Sequence, residues 1–116
     1  MSEVYDYFQE GRRRLRRGQT AQATVPLEKA KRRAPDKASI REMLGIAYFR
    51  LRRYAEAEAE FRAVVELSPV NDYAHYALGR ALEKQGRRQE ANGHYKLACS
   101  LRPGHERYEA RVLDLG

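Results

Sequence analysis

Apolar and small residues recur along the chain at an interval that no single helix or strand explains. Pro35, Pro69 and Pro103 stand 34 residues apart, and the same interval links Gly11, Gly45 and Gly79, then Ala23, Ala57 and Ala91, then Ala30, Val64 and Ala98. Leu27, Phe61 and Tyr95 form a fifth, bulky column. Columns kept in register define a tandem repeat, whose units bury their apolar faces by stacking on one another. Each unit is predicted to hold two antiparallel helices. Gly18 and Gly86, with Arg52-Arg53 in register between them, mark the turn, since glycine supplies the positive φ that ends a helix. Asp36 and Asn71-Asp72 are residue types that cap free backbone amides, so the first helices of the later units are expected to begin near them. Gly45 and Ala57 let paired helices approach, and Tyr48 and Phe61 fill the remaining space. Beyond Pro103-Gly104, Tyr108, Val112 and Leu115 fall at helical spacing and predict a last helix that covers the exposed face of the third unit.

The middle unit carries Leu44-Gly45-x-x-Tyr48, Ala57-x-x-x-Phe61 and Pro69, and the third carries Leu78-Gly79-x-x-Leu82, Ala91-x-x-x-Tyr95 and Pro103. This text resembles the tetratricopeptide repeat. In the first unit Glu10 and Arg14 replace the signature Leu and Tyr, as suits a terminal repeat with no neighbour on one side. The resemblance covers about residues 4 to 105. It implies an all-α fold, a right-handed superhelix of antiparallel helix pairs with about seven helices, in a single domain over 1–116. The repeats fall at 4–37, 38–71 and 72–105, and the capping helix at 106–115.

Charge complicates this picture. The chain has a formal charge of +7, and Arg12 to Arg17 places five arginines in six positions. Such a balance favours anionic partners. The run ends the first helix, however, where 100° per residue spreads its side chains around the axis. Arg16 and Arg17 there also answer the partial negative charge of the helix end. A nucleic-acid or polyanion site would need Arg13, Arg17, Lys31, Arg32 and Arg33 to converge, and no recognised reading motif accompanies them.

The tetratricopeptide resemblance implies that the first helices of successive units line a concave, peptide-binding groove. Carried over by column, the groove residues are Tyr5, Phe8, Arg12, Leu15 and Arg16; Glu42, Met43, Ile46, Phe49 and Arg50; and Tyr73, Tyr76, Ala77, Arg80, Glu83 and Lys84. One column, Arg16, Arg50 and Lys84, is uniformly basic. A basic ladder beside aromatic side chains suits an acidic or amphipathic segment of another protein, because arginine bonds carboxylates bidentately and aromatics supply contact area. Family members that grip chaperone tails use Lys, Asn and Arg side chains, whereas the matching places here hold Phe8, Arg12, Met43, Tyr73 and Ala77. Only Arg12 retains a suitable donor, so chaperone-tail binding is not expected.

His75, His94 and His105 lie apart in sequence with no metal-ligand spacing, and no phosphate loop or nucleophile elbow is present. The expectation is a binding module with no catalytic residues, metal or cofactor. A lone Cys99, no leader-like N-terminus and no apolar run of about 18 residues point to a cytoplasmic protein without a membrane span, monomeric or weakly self-associating.

Overall fold

The computed structural model describes residues 2–115, with the side chains of 113–115 outside the described set. Seven helices follow one another: α1 (Glu3–Arg16), α2 (Thr20–Arg33), α3 (Ala38–Arg50), α4 (Tyr54–Leu67), α5 (Asp72–Lys84), α6 (Arg88–Leu101) and α7 (Glu106–Leu115). No strand occurs among the described residues.

The glycine and bulky columns explain the pairing. A Cβ at Gly11 would lie 2.4 Å from Leu27 Cγ, one at Gly45 2.6 Å from Phe61 Cε1, and one at Gly79 2.5 Å from Tyr95 Cε1. Each large side chain therefore packs directly on the backbone of the partner helix, and α1 joins α2, α3 joins α4, and α5 joins α6. Stacking uses the second helix of one unit against the first of the next, α2 on α3 and α4 on α5. The first helices barely touch one another. Their splay gives an elongated right-handed superhelix, 46 × 25 × 20 Å, with a face open along α1, α3 and α5.

Polar contacts fix the stacking. The Tyr48 hydroxyl donates to Glu28 across the α2/α3 joint, and Glu60, whose side chain is 6% exposed, accepts from Lys31 at 2.8 Å and Arg41 at 3.2 Å. Asn71 caps α5 as expected, its side chain accepting from the Ala74 amide at 3.0 Å. Asp36 does not cap α3; Lys37 holds that position and offers no side-chain acceptor. The helix predicted at the end of the chain forms and packs on α6, with Tyr108 buried against Tyr76 and its hydroxyl donating to Asp72 at 2.7 Å. Val112 is partly buried on the same cluster, and the Leu115 side chain lies outside the described residues.

Candidate peptide-binding groove

Two adjoining recesses run along the open face. A cavity of ≈ 440 Å³ between α1 and α3 is lined by Arg12, Leu15, Arg16, Met43, Ile46 and Arg50. A second, ≈ 220 Å³, is lined by Ile46, Phe49, Arg50, Phe61, Tyr73, Tyr76, Ala77, Arg80 and Arg107. Ile46 and Arg50 belong to both, which makes the two recesses one continuous path.

Eleven of the sixteen residues expected in the groove lie on that path: Arg12, Leu15, Arg16, Met43, Ile46, Phe49, Arg50, Tyr73, Tyr76, Ala77 and Arg80. Tyr5 and Phe8 instead face a separate cleft near the start of α1, beside Val4, Ala34, Lys37 and Ile40. Lys84 is exposed at the end of α5 and lines neither recess. The basic ladder of Arg16, Arg50 and Lys84 thus contributes two of its three members to the path. Glu83 turns away, accepting from the Tyr95 hydroxyl at 2.6 Å and pairing with Arg111.

Arg107 has no counterpart in the sequence reading, which treats α7 only as a cover. Its signal lies in the repeat: 107 is one further interval of 34 beyond Tyr73. In the structure the two residues meet at the same recess.

The aromatic walls are ordered by their own contacts. Phe49 packs edge-on against Tyr54, with centroids 5.2 Å apart, and Tyr73 against Phe61 at 6.5 Å. Tyr76 is 8% exposed and packs between Tyr95 and Tyr108, so it presents little more than its edge. Burial first, then the Glu42 carboxylate, pushes the Tyr73 phenol above its ordinary value, with Arg50 and Arg107 pulling the other way. It remains a neutral hydroxyl across the physiological range.

Several cations are neutralised within the chain, and those along the groove are not among them. Across the joints and the outer face, Lys31, Arg41, Arg53, Arg62 and Arg87 are ion-paired with Glu28, Glu56, Glu58, Glu60 or Glu90. Among the described residues, none of Arg12, Arg16, Arg50, Arg80 or Arg107 has an acidic partner within salt-bridge distance. Arg80 lies 5.5 Å over the Phe49 ring, Arg12 lies 5.7 Å over Phe8, and the Arg80 Nε is buried without a hydrogen-bond partner. The basic patch considered for nucleic acid is partly engaged internally, since Lys31 pairs with Glu60 and Arg33 with Glu3 at 2.8 Å. Among the described residues no three His, Cys, Asp or Glu side chains gather as metal ligands, and no helix is long and apolar enough to cross a membrane.

Stacked helix pairs that leave an open, cation-lined concave face define an α-solenoid of the interaction-module type. The tetratricopeptide repeat model matches residues 8–72 and 43–106, and the chain belongs to that family. None of the curated proteins compared matches it. Among solved structures it is similar to the first TPR domain of Spaghetti (RPAP3) bound to the HSP90 peptide SRMEEVD, at 20% identity and a TM-score of 0.92, covering 97% of this chain and 90% of that one. It is also similar to MamA MSR-1, at 28% identity and TM-score 0.89, over 97% of this chain but 64% of that one. A Thermobaculum terrenum O-GlcNAc transferase mutant matches at 21% identity and TM-score 0.85, with this chain spanning only 22% of its length.

Proposed function

We propose that the protein is a non-catalytic interaction module whose concave groove binds an acidic or amphipathic segment of another protein. The observation that carries this reading is the gathering of five arginines without acidic partners along one groove. Arg41, Arg62 and Arg87, at the joints between helices, are neutralised by the chain's own glutamates, whereas the five arginines that share the groove have no acidic partner among the described residues. Unpaired guanidiniums beside half-buried aromatic and aliphatic walls suit carboxylates spaced among apolar side chains. The RPAP3 domain of like fold holds a peptide with three acidic residues, which is compatible with such a ligand. Its gripping side chains are not carried over, for the reasons of sequence given above.

A display library of random peptides tests the reading. The wild-type protein is expected to enrich acidic sequences, with affinity falling as salt rises. Arg16→Glu, Arg50→Glu and Arg107→Glu combined should abolish that enrichment, while Lys84→Glu, outside both recesses, should keep it. Enrichment that survives the triple substitution, or that never favours acidic peptides, rules the reading out.

A further inference from the structure

The smaller recess differs from the rest of the groove in its aromatic lining. Phe49, Tyr73 and Tyr76 form its sides with Ile46, Phe61 and Ala77, and three guanidiniums, of Arg50, Arg80 and Arg107, come from three different helices. We propose that this recess is an anchor pocket, which takes one aromatic side chain of the bound segment while Arg50, Arg80 and Arg107 hold an adjacent carboxylate. The inference rests on the groove reading above and adds to it the residue type that decides affinity.

Three observations support it. The first is size: an apolar cavity of about 150 Å³ accepts benzene, so ≈ 220 Å³ accommodates a phenyl ring with its stem. The second is the small residue Ala77 at the pocket wall, where a larger side chain would fill the space. The third is the buried Nε of Arg80, a donor with no hydrogen-bond acceptor among the described residues. The neighbouring recess has twice the volume, with exposed Arg16 and half-buried Arg12 over Leu15 and Met43. It is suited to carboxylates but has no aromatic wall. A segment crossing both places its aromatic residue under α7 and its remaining acids toward α1. The terminal helix is then part of the site, because Arg107 is on its first turn.

The test uses three fluorescein-labelled peptides read by polarisation: one of Asp and Glu with a central Phe, the same with Ala, and an uncharged Ser/Asn peptide with the Phe. The acidic Phe peptide is expected to bind about thirtyfold more tightly than its Ala counterpart, as a buried aromatic anchor does. Arg107→Glu, at an exposed position on α7, should weaken the acidic Phe peptide about tenfold and shrink the Phe-to-Ala ratio. Arg16→Glu, in the other recess, should weaken both acidic peptides alike and preserve the ratio. Unchanged thermal melting of each variant excludes misfolding as the cause. Equal binding of the acidic Phe and Ala peptides, or an unaltered ratio in Arg107→Glu, overturns the anchor pocket and leaves the acidic groove standing. If neither acidic peptide binds better than the uncharged one, the groove reading itself fails.

Discussion

Gly18, Arg52 and Gly86 occupy one place in three successive units, and all three adopt left-handed backbone, with φ of 77°, 61° and 81°. Arg52 alone has a Cβ there. The Arg52 side chain is exposed and takes part in no hydrogen bond or ion pair among the described residues, so replacing it removes only the backbone penalty. Left-handed geometry costs an L-residue roughly 1–2 kcal/mol. Glycine returns about 0.5–1 kcal/mol of that through its freer unfolded chain. Arg52→Gly is therefore expected to stabilise the protein by about 0.5–1 kcal/mol. Gly86→Ala is the reciprocal test, because nothing lies within 4 Å of a Cβ built there and only the backbone effect remains. It should destabilise by about 1 kcal/mol. Urea unfolding followed by helical circular dichroism measures both, and the melting temperature should rise by about 2–6 °C for Arg52→Gly. Phe49 and Arg50 precede this turn and Phe49 packs on Tyr54 across it, so peptide binding should not change. A lower midpoint for Arg52→Gly, or no loss for Gly86→Ala, would refute the argument that backbone strain dominates at this position.

Gly79→Ala should destabilise by about 1–3 kcal/mol in the same unfolding assay, since its Cβ would meet the Tyr95 ring at 2.5 Å. Glu60→Gln leaves Lys31 and Arg41 facing a neutral group at the α2/α3/α4 joint. Because both cations keep some exposure, the expected loss is about 1–3 kcal/mol, below that of a fully buried pair. Burial first, and then His75 beside it, holds the His94 imidazole below its ordinary value of 6.5, with Arg62 acting in the same sense and Glu90 opposing. The unfolded chain therefore takes up this proton first as pH falls. Stability from the site is complete above about pH 7.5 and is lost as pH drops through 6.5 toward the folded-state value. Melting curves between pH 8 and pH 5 should show that loss in the wild type and a flatter profile in His94→Gln. A chain ending at Pro103 uncovers Tyr76 and the rest of the face that Tyr108 buries, and light scattering should show that it aggregates.

The helix pairing was legible because it depends on contacts that every unit repeats. Gly45 under Phe61 and Gly79 under Tyr95 are the same physical event, so the interval of 34 reveals it directly. The first unit obeys the same rule at Gly11 and Leu27, and α1 forms although Glu10 and Arg14 replace its signature residues. Those two pair with each other at 2.8 Å and both stay partly exposed. The groove was less legible, because columns give register along a helix but not curvature between helices. Tyr5 and Phe8 share the register of Tyr73 and Tyr76, which meet the main path in the third unit, yet in the first unit they open onto a different cleft. Arg107 was hidden for the opposite reason: a helix read as a cover carries the repeat's register one step further.

Side-chain pairs inside the units show why repetition of fold does not repeat chemistry. Arg41 and His75 occupy one column, and each donates to the carbonyl of the proline closing the preceding unit, Pro35 at 2.9 Å and Pro69 at 2.8 Å. Their partners, Glu60 and His94, also share a column. Where the second unit has an ion pair at 3.2 Å, the third has two imidazoles with Nδ1 atoms 3.2 Å apart. Because His75 Nε2 must carry the proton given to Pro69, its Nδ1 is the acceptor and His94 Nδ1 the donor. The third member at the second-unit joint, Lys31, becomes Val65 one interval later. The template thus demands a bond to the closing proline and a partner on the second helix, and leaves their charge free. Charge at these joints can vary from unit to unit without altering the stack, whereas the groove cations, which no glutamate of the chain neutralises, are constrained by what they meet outside it.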